Sequence, residues 1–158
     1  MKQHEQVIHQ FYNAFKEGNY RLMQGLYHED ASFSDPVFQN LNSQEVKAMW
    51  QMLILSATDL EVAFTNVSAV TDSGKCQWEA WYTFSATGRK VHNIINAEFQ
   101  FKDGLIYRHI DSFNFWRWSR MALGTPGILL GWSPLIINKV RNTAQRKLHK
   151  IMANNAMS

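Results

Sequence analysis

The sequence predicts an α+β fold, in which a curved antiparallel β-sheet forms a cone over three N-terminal helices and is followed by C-terminal helices. The sheet is predicted from residues 74–116, where three consecutive stretches alternate between apolar and polar residues. The helices are predicted from apolar residues at helical spacing in residues 5–54. Because a meander of this length must bury one face, we expect the helices to pack against it and to leave an apolar cavity.

The N-terminal part alternates between helices and one short strand. A first helix is predicted over 5–17 and a second over 19–27, with Gly18 ending the first. Glu29–Asp30 is predicted to be a break, and residues 31–35 alternate as a short strand.

A third helix is predicted to begin at Asn42. Glu45 follows three residues later, which is a capping-box pattern. Residues 60–70 then alternate as the first strand of the sheet, and strands over 75–86, 91–102 and 105–115 follow. Asp103-Gly104, between two of these strands, is a strong hairpin signal.

The C-terminal residues 117–158 are predicted to form a helical extension of a cone-shaped domain at 1–116. A short helix closed by Gly124 is followed by an apolar, glycine-punctuated loop over 125–134. A last helix runs from Pro134 to about residue 152. We expect the extension to pack on the same domain or on a dimer partner.

The composition is that of an ordinary globular protein of 158 residues, with 46% apolar and 18% charged residues. A single cysteine, Cys76, excludes an internal disulfide and a cysteine metal site. The N-terminus lacks an apolar signal core and no stretch reaches transmembrane length, so we predict a cytoplasmic protein.

The charge is distributed unevenly along the chain. Residues 1–111 hold nine Lys/Arg and thirteen Asp/Glu, whereas residues 112–158 hold seven Lys/Arg and no acidic residue. The acidic balance of the first part argues against a nucleic-acid-binding core. For the basic tail we favour simple docking on its own domain. Three other interpretations stay open: the tail covers the open end of the cone, it binds a dimer partner, or it contacts an anionic membrane surface. Membrane contact is the least favoured of these.

Two motifs indicate a family. Residues 26–37 read Leu-Tyr-His-Glu-Asp-Ala-Ser-Phe-Ser-Asp-Pro-Val, and His109-Ile-Asp111 lies on the last long strand, after Thr87-Gly-Arg-Lys-Val91 and Phe99-Gln-Phe101. With this order of elements, the chain resembles the nuclear-transport-factor-2-like superfamily, which includes ketosteroid isomerases and SnoaL-type polyketide cyclases. The resemblance covers about residues 5–116 and implies a dimer.

The resemblance implies roles for three residues. Asp35 matches the isomerase Asp that shuttles a proton, and the His109–Asp111 pair matches the acid/base pattern of the cyclases. The oxyanion-binding residues of the isomerases are not matched, because Phe11 stands at the Tyr position and Ala97 at the protonated Asp position. Tyr12, one residue further on, is expected to face elsewhere, so steroid isomerisation is not favoured.

Each candidate also has a structural interpretation. Asp35, just before Pro36, is a proton-transfer group in the mouth of the cone or the cap of a turn. His109 and Asp111 form an acid/base pair or a structural pair that ties the strand to the tail through Arg117 or Arg120. We favour a site role for the pair, since buried ionisable groups need a reason.

The predicted site comprises three catalytic residues, Asp35, His109 and Asp111, and a ligand pocket. The pocket residues are Phe11, Tyr12, Phe33, Trp50, Trp78, Tyr82, Asn93, Ile95 and Phe113. No spacing groups three metal ligands, and no phosphate loop or dinucleotide motif occurs, so we predict no metal and no cofactor.

Two functions remain open from the sequence. The first is a cofactor-independent isomerase, cyclase or hydrolase that acts on an apolar carbonyl compound through Asp/His acid–base chemistry. The second is a non-catalytic protein that binds an apolar ligand or serves as a dimeric scaffold. Both include an apolar small molecule or a homodimer as partner, and neither includes nucleic acid.

Overall fold

The computed structural model describes residues 2–158, and Met1, the first residue of the predicted 1–116 domain, lies outside the described residues. In the sequence, helices come both before and after the strands of the sheet. The elements are α1 (Gln3–Lys16), α2 (Tyr20–Gly25), β1 (Tyr27–Ser34), β2 (Leu41–Asn42), α3 (Ser43–Ser56), β3 (Glu61–Val70), β4 (Ser73–Phe84), β5 (Arg89–Lys102), β6 (Leu105–Ser112), α4 (Phe115–Leu123), α5 (Thr125–Leu130) and α6 (Pro134–Ala156).

The sheet has six strands in the order β2-β1-β6-β5-β4-β3 and is curved and open. The predicted meander is confirmed: β4 and β5 pair antiparallel along their whole length, from Ser73↔Gln100 to Phe84↔Arg89. One pairing differs from the all-antiparallel prediction, because β1 lies parallel to β6. A parallel pair needs a long crossover connection, and α3 with the four strands β2 to β5 provides it here.

The concave face of the sheet is the core. Alternate residues of β5 are buried on this face, from Val91 through Asn93, Ile95 and Ala97 to Phe99, while their neighbours are exposed or half-buried. Helices α1 and α3 pack against this face with apolar stripes, as the period of their sequences predicts. The α+β cone predicted from the sequence is therefore confirmed.

Two N-terminal boundaries differ from the prediction. Helix α2 ends at Gly25, and β1 begins at Tyr27 rather than after a break at Glu29–Asp30. Tyr27 pairs with Ile106, and the register shifts before Ser32, so an irregular stretch of strand accommodates the two acidic residues. The predicted capping box at Asn42 is present and opens α3.

The C-terminal helices are present, with one addition. Residues 125–130, predicted as part of a loop, form helix α5, with its proline in the first turn where no backbone N–H is needed. Helix α6 packs on the core through a stripe of Ala144, Leu148 and Ile151. Asn155 exchanges two hydrogen bonds with Gln51 of α3. Among residues 2–158, no helix combines the length and the apolar character needed to cross a membrane.

Candidate functional site

His109 and Asp111 lie two residues apart on β6 and therefore share its concave face. Both are buried, with 0% and 4% of their surface exposed. His109 Nε2 lies 2.9 Å from Asp111 Oδ1, so the two side chains are joined by a hydrogen bond. The structure thus brings together the predicted pair inside the cone.

A chain of hydrogen bonds continues from this pair into the core. The Tyr27 hydroxyl lies 2.8 Å from His109 Nδ1, and Trp50 Nε1 donates to the Tyr27 hydroxyl at 2.9 Å. The hydroxyl hydrogen of Tyr27 has an acceptor only if Nδ1 is unprotonated, which assigns the imidazole proton to Nε2. His109 is then neutral and donates to the Asp111 carboxylate.

Aromatic rings surround this chain. The His109 ring lies edge-on to Phe33 at 4.9 Å and tilted to Phe99 at 4.4 Å between ring centroids. Trp78 Nε1 donates to Asp111 Oδ1 at 3.5 Å. Within residues 2–158, the recorded hydrogen bonds to this carboxylate end on Oδ1, so Oδ2 stays available to a proton or a ligand.

Asp35 follows directly after β1, at the mouth of the cone. Its Oδ1 accepts hydrogen bonds from the backbone N–H groups of Val37 at 2.7 Å and Phe38 at 2.6 Å. The residue is half-buried, but protein atoms surround its carboxyl group. The pKa of Asp35 is raised to about 7: burial is the main cause and the charge of Asp111 adds to it, while the two N–H groups and Arg141 act in the opposite direction.

The predicted turn cap and the predicted ionisable group are therefore the same residue. An Asx-type turn positions the Asp35 carboxyl, and its surroundings bring its pKa to a value at which it gains and loses a proton at neutral pH. Phe33 pairs with His109 and Ser34 with Ile110 in the parallel register of β1 and β6, so Asp35 follows beside Asp111 and the two carboxyl groups lie in one region.

The C-terminal extension contributes to the same region. Arg141 of α6 donates from Nε to the Pro36 carbonyl at 2.9 Å, beside Asp35. Trp118 of α4 donates to the Tyr82 hydroxyl at 2.7 Å. The tail thus lies over the mouth of the cone.

Tyr12 and Phe11 are neighbours on α1 and are both fully buried, but their rings contact different parts of the core. The Phe11 ring lies 5.7 Å from that of His109, whereas the Tyr12 ring lies 5.9 Å from that of Trp78. Its hydroxyl is buried beside the Cys76 thiol, which is only a weak hydrogen-bonding group, and it has no partner at normal hydrogen-bond geometry. Burial raises the pKa of Tyr12 well above its usual value, and the charge of Asp111 adds to this, so the group stays a protonated donor.

The other predicted pocket residues line the concave side. Those buried there are Phe33, Trp50, Trp78, Asn93 and Ile95, whereas Tyr82 and Phe113 are half-buried between the core and the tail. The rings of Trp50 and Trp78 lie 6.2 Å apart and pack with Phe15, so they fill the deep part of the cone. Two depressions lie elsewhere on the surface, and neither is lined by Asp35 or Asp111.

The link between the pair and the tail through Arg117 or Arg120 is wrong. Arg117 donates to the His92 carbonyl, and Arg120 stacks on the Trp116 ring at 4.1 Å. The sequence did not identify Tyr27, which the pattern places in the buried stripe of a helix. Tyr27 is the first residue of β1 and pairs with Ile106 of β6. A strand predicted to begin at Tyr27 would have placed this residue near His109.

Among residues 2–158, no group of three or more His, Cys, Asp or Glu side chains is arranged to hold a metal ion. His92 lies on the convex face, stacked on Trp81 at 4.7 Å and 3.4 Å from a Glu79 carboxylate oxygen. The metal-free and cofactor-free site stays a prediction.

The fold is shared with several solved structures. A candidate SnoaL-like polyketide cyclase from Jannaschia sp. CCS1 is 12% identical and superposes with a TM-score of 0.68, over 78% of this chain and 93% of its own. An LEH-like epoxide hydrolase of M. tuberculosis is 14% identical, with a TM-score of 0.62 over 86% of this chain and 96% of its own.

IdmH, a candidate polyketide cyclase from Streptomyces antibioticus, is 19% identical, with a TM-score of 0.61 over 72% of this chain and 93% of its own. At these identities the likeness establishes the fold alone. No curated protein matches the sequence.

Residues 8–109 match the SnoaL-like domain family. The matched residues include most of α1, all of α2 and α3, the strands β1 to β5, and β6 as far as His109. It covers more than half of the sequence and agrees with the six-stranded open cone. The chain therefore belongs to the SnoaL-like family, with a C-terminal helical extension.

Proposed function

We propose that the protein is a cofactor-independent acid–base enzyme of the isomerase or cyclase type, which moves a proton at the carbon next to a carbonyl group of an apolar small molecule. Asp35 is the proton-transfer group. The observation that carries the proposal is the Asp35 carboxyl, held by a turn at the mouth of the cone, with a pKa of about 7. A base of this pKa is matched to proton transfer at neutral pH.

The proposed reaction begins when ionised Asp35 removes the proton from the α-carbon, and the electron pair moves to the carbonyl oxygen to give an enolate. In an isomerisation the protonated Asp35 returns the proton to another carbon. In a cyclisation the enolate carbon attacks a second carbonyl of the same molecule, and Asp35 gives its proton to the new alkoxide. No electrons are gained or lost in either case, so neither reaction requires a redox cofactor.

Two further groups support this chemistry. The unpartnered Tyr12 hydroxyl is a donor available to the enolate oxygen, and such a donor in a buried site stabilises developing negative charge. The His109–Asp111 pair holds a negative charge near Asp35, which disfavours a second charge there and keeps Asp35 protonated to higher pH. In this proposal His109 positions Asp111 and does not react with the substrate, because both of its ring nitrogens are already engaged, Nδ1 with the Tyr27 hydroxyl and Nε2 with Asp111.

A second function is favoured by a different observation. Aromatic rings fill the deep part of the cone, and α6 lies over its mouth, with Arg141 bonded to the Pro36 carbonyl. Access of a substrate to Asp35 therefore requires α6 to move away. If α6 does not move, the protein is a non-catalytic SnoaL-like scaffold, in which the buried polar chain stabilises the core.

Deuterium incorporation distinguishes the two functions. The purified protein is incubated in D₂O with a panel of 1,3-diketones and cyclic β-keto esters, and exchange of the α-hydrogen is followed by NMR. We expect exchange above the uncatalysed rate with at least one compound, and a loss of about 100-fold in Asp35→Asn. Asp30→Asn is the matched control, since Asp30 is an exposed residue of β1, the strand that Asp35 follows. Equal exchange by Asp35→Asn and the native protein would contradict the proposal.

A further inference from the structure

The C-terminal extension carries an unusual concentration of exposed apolar side chains. They lie on α5 and the start of α6 and together form what we call the apolar tip. Its residues, with exposed fractions of 42–72%, are Ile128, Leu129, Leu130, Trp132 and Leu135. Large apolar residues in a contiguous exposed patch mark an interaction site.

The packing of α5 on α4 leaves the apolar tip exposed. Gly127 lies against the backbone of Ser119, where a Cβ would overlap the Ser119 carbonyl, so α5 packs closely on α4 through its glycine side. The apolar residues of α5 consequently point away from α4. Trp132 donates from Nε1 to the Leu129 carbonyl at 2.9 Å, so the polar atom of the indole is satisfied within the tip and the ring is free to enter an apolar phase.

Basic side chains continue the same surface along α6. At 100° per residue, Leu135, Lys139, Arg146 and Lys150 share one face of this helix. The three basic residues are exposed, and this face is opposite the stripe that packs on the core. The helix therefore presents an apolar end followed by a row of cations.

More cations adjoin the tip on its other side. Trp116 donates from Nε1 to the Ile128 carbonyl at 3.4 Å, and the Arg120 guanidinium stacks on the Trp116 ring. Arg120 in turn lines a surface depression of about 530 Å³ together with Arg89, Lys90 and Arg117. No acidic residue occurs in residues 112–158, so no carboxylate of the extension neutralises this surface.

From this arrangement we propose that the C-terminal extension docks on the surface of an anionic phospholipid membrane, with the apolar tip inserted among the acyl chains and the cations of α4 and α6 at the headgroups. An apolar tip flanked by Lys and Arg is the pattern of an interfacial helix. Trp132 suits the level of the headgroups, because indole rings prefer the membrane–water boundary.

The charge argues against the other occupants of such a surface. A second copy related by two-fold symmetry would bring two cation-rich patches face to face, which is repulsive. A nucleic acid would pair with the cations but would leave the aliphatic side chains of the tip in contact with phosphates and water. An anionic membrane satisfies both the cations and the apolar tip.

Co-sedimentation of the full-length protein with vesicles tests the proposal. We expect binding to vesicles of 70% phosphatidylcholine and 30% phosphatidylserine, and at least tenfold weaker binding to pure phosphatidylcholine. Each basic residue near an anionic surface contributes roughly a fivefold increase in partition. Binding to the anionic vesicles should also fall at least tenfold in 0.5 M NaCl, because salt screens the surface charge.

Two pairs of substitutions separate the tip from the cations. We expect Leu129→Ser with Trp132→Ser to weaken binding at least tenfold, and Lys139→Glu with Lys150→Glu to abolish the preference for phosphatidylserine. Leu55→Ser and Lys75→Glu are the matched controls, since both are exposed residues of α3 and β4 outside the extension. All four substituted side chains of the extension are exposed, so the variants are expected to fold, which circular dichroism verifies.

Several outcomes would overturn the proposal. These are equal binding to both vesicle types, no binding to either, and a loss of binding in the Leu55→Ser control as large as that in the tip variant. A concentration-dependent dimer that the tip variant dissociates, in a protein that does not bind vesicles, would assign the patch to self-association instead. The result is independent of the proposed enzymatic function, because none of the substituted residues contacts Asp35, His109 or Asp111.

Discussion

Tyr27 and His109 are 82 residues apart in the sequence, and the Tyr27 hydroxyl donates to His109 Nδ1 at 2.8 Å in the buried core. The bond exists because β1 lies parallel to β6 and begins opposite Ile106, which brings the first residue of β1 below the imidazole. This one contact fixes the imidazole tautomer and thereby makes Nε2 the donor to Asp111. The pairing of β1 with β6 therefore sets the chemistry of the pair.

The first prediction concerns this bond. Tyr27→Phe removes the hydroxyl and leaves both His109 Nδ1 and Trp50 Nε1 without a partner in the core. A buried polar group left unpaired costs about 1–3 kcal/mol, so we expect the free energy of unfolding to fall by about 2–4 kcal/mol in urea denaturation. Tyr107→Phe, on the adjacent strand β6, is the control and should change it by less than about 1 kcal/mol. Equal losses in the two variants would contradict the role of the network.

The second prediction concerns the pH dependence of stability. Because burial raises the pKa of Asp35 to about 7, the folded state binds more protons than the unfolded state between the ordinary carboxyl pKa and that value. Stability attributable to Asp35 is therefore fully present at low pH and decreases as the pH rises to about 7. Asparagine keeps the oxygen that accepts the two N–H bonds of the turn and does not ionise.

We expect Asp35→Asn to be as stable as the native protein near pH 4 and more stable at pH 8, by about 2–4 kcal/mol. Urea denaturation at several pH values gives the free energy of unfolding of both proteins. Groups other than Asp35 contribute equally to both, so their contributions cancel in the difference. Asp30→Asn is again the control. A difference that does not depend on pH would show that Asp35 titrates normally.

The local elements were predictable because each has a local signal. The alternation of β5 and the turn at Asp103-Gly104 predict the meander, and the capping box at Asn42 predicts the start of α3. The glycine-rich stretch after Gly124 gives the opposite signal, and α5 forms there because its glycines allow close packing on α4. That packing is a tertiary effect, which no local pattern contains.

The site was predictable only in part. His109 and Asp111 share a face by the period of a strand, and the Asp35-Pro36 motif resembles a known segment, so the sequence proposes all three as candidates. Arg141 was not, because its bond to the Pro36 carbonyl joins residues 105 positions apart and depends on where α6 docks. Contacts of this kind follow from the packing of whole elements.

The third prediction concerns Arg141. Its positive charge holds the pKa of Asp35 lower than burial alone would. Arg141→Met keeps the length of the side chain and removes the charge, so we expect the pKa of Asp35 to rise further. Carbon-13 NMR of the Asp carboxyl resonances measures the titration, with Lys139→Met as the control, since Lys139 is an exposed cation of the same helix. A lower pKa in Arg141→Met would contradict the placement of α6 over the mouth.

The fourth prediction concerns the Tyr12 hydroxyl, which is buried without a hydrogen-bond partner. If its role were structural, Tyr12→Phe would destabilise the protein. Because an unpartnered buried hydroxyl only costs desolvation energy, we expect Tyr12→Phe to leave stability unchanged or to raise it by about 1 kcal/mol. We expect the same variant to lower the rate of α-hydrogen exchange by about 10–100-fold, because the enolate oxygen loses its donor.

The combination of these two results is what identifies a catalytic donor. A variant that is as stable as the native protein but slower has lost a group whose energy is realised only in the transition state. A variant that is less stable, with exchange reduced only in proportion to the unfolded fraction, would make Tyr12 part of the core. Since Tyr12 and Asp35 lie on different elements, Tyr12→Phe should also leave the pH at half-maximal exchange unchanged, whereas Arg141→Met should move it upwards.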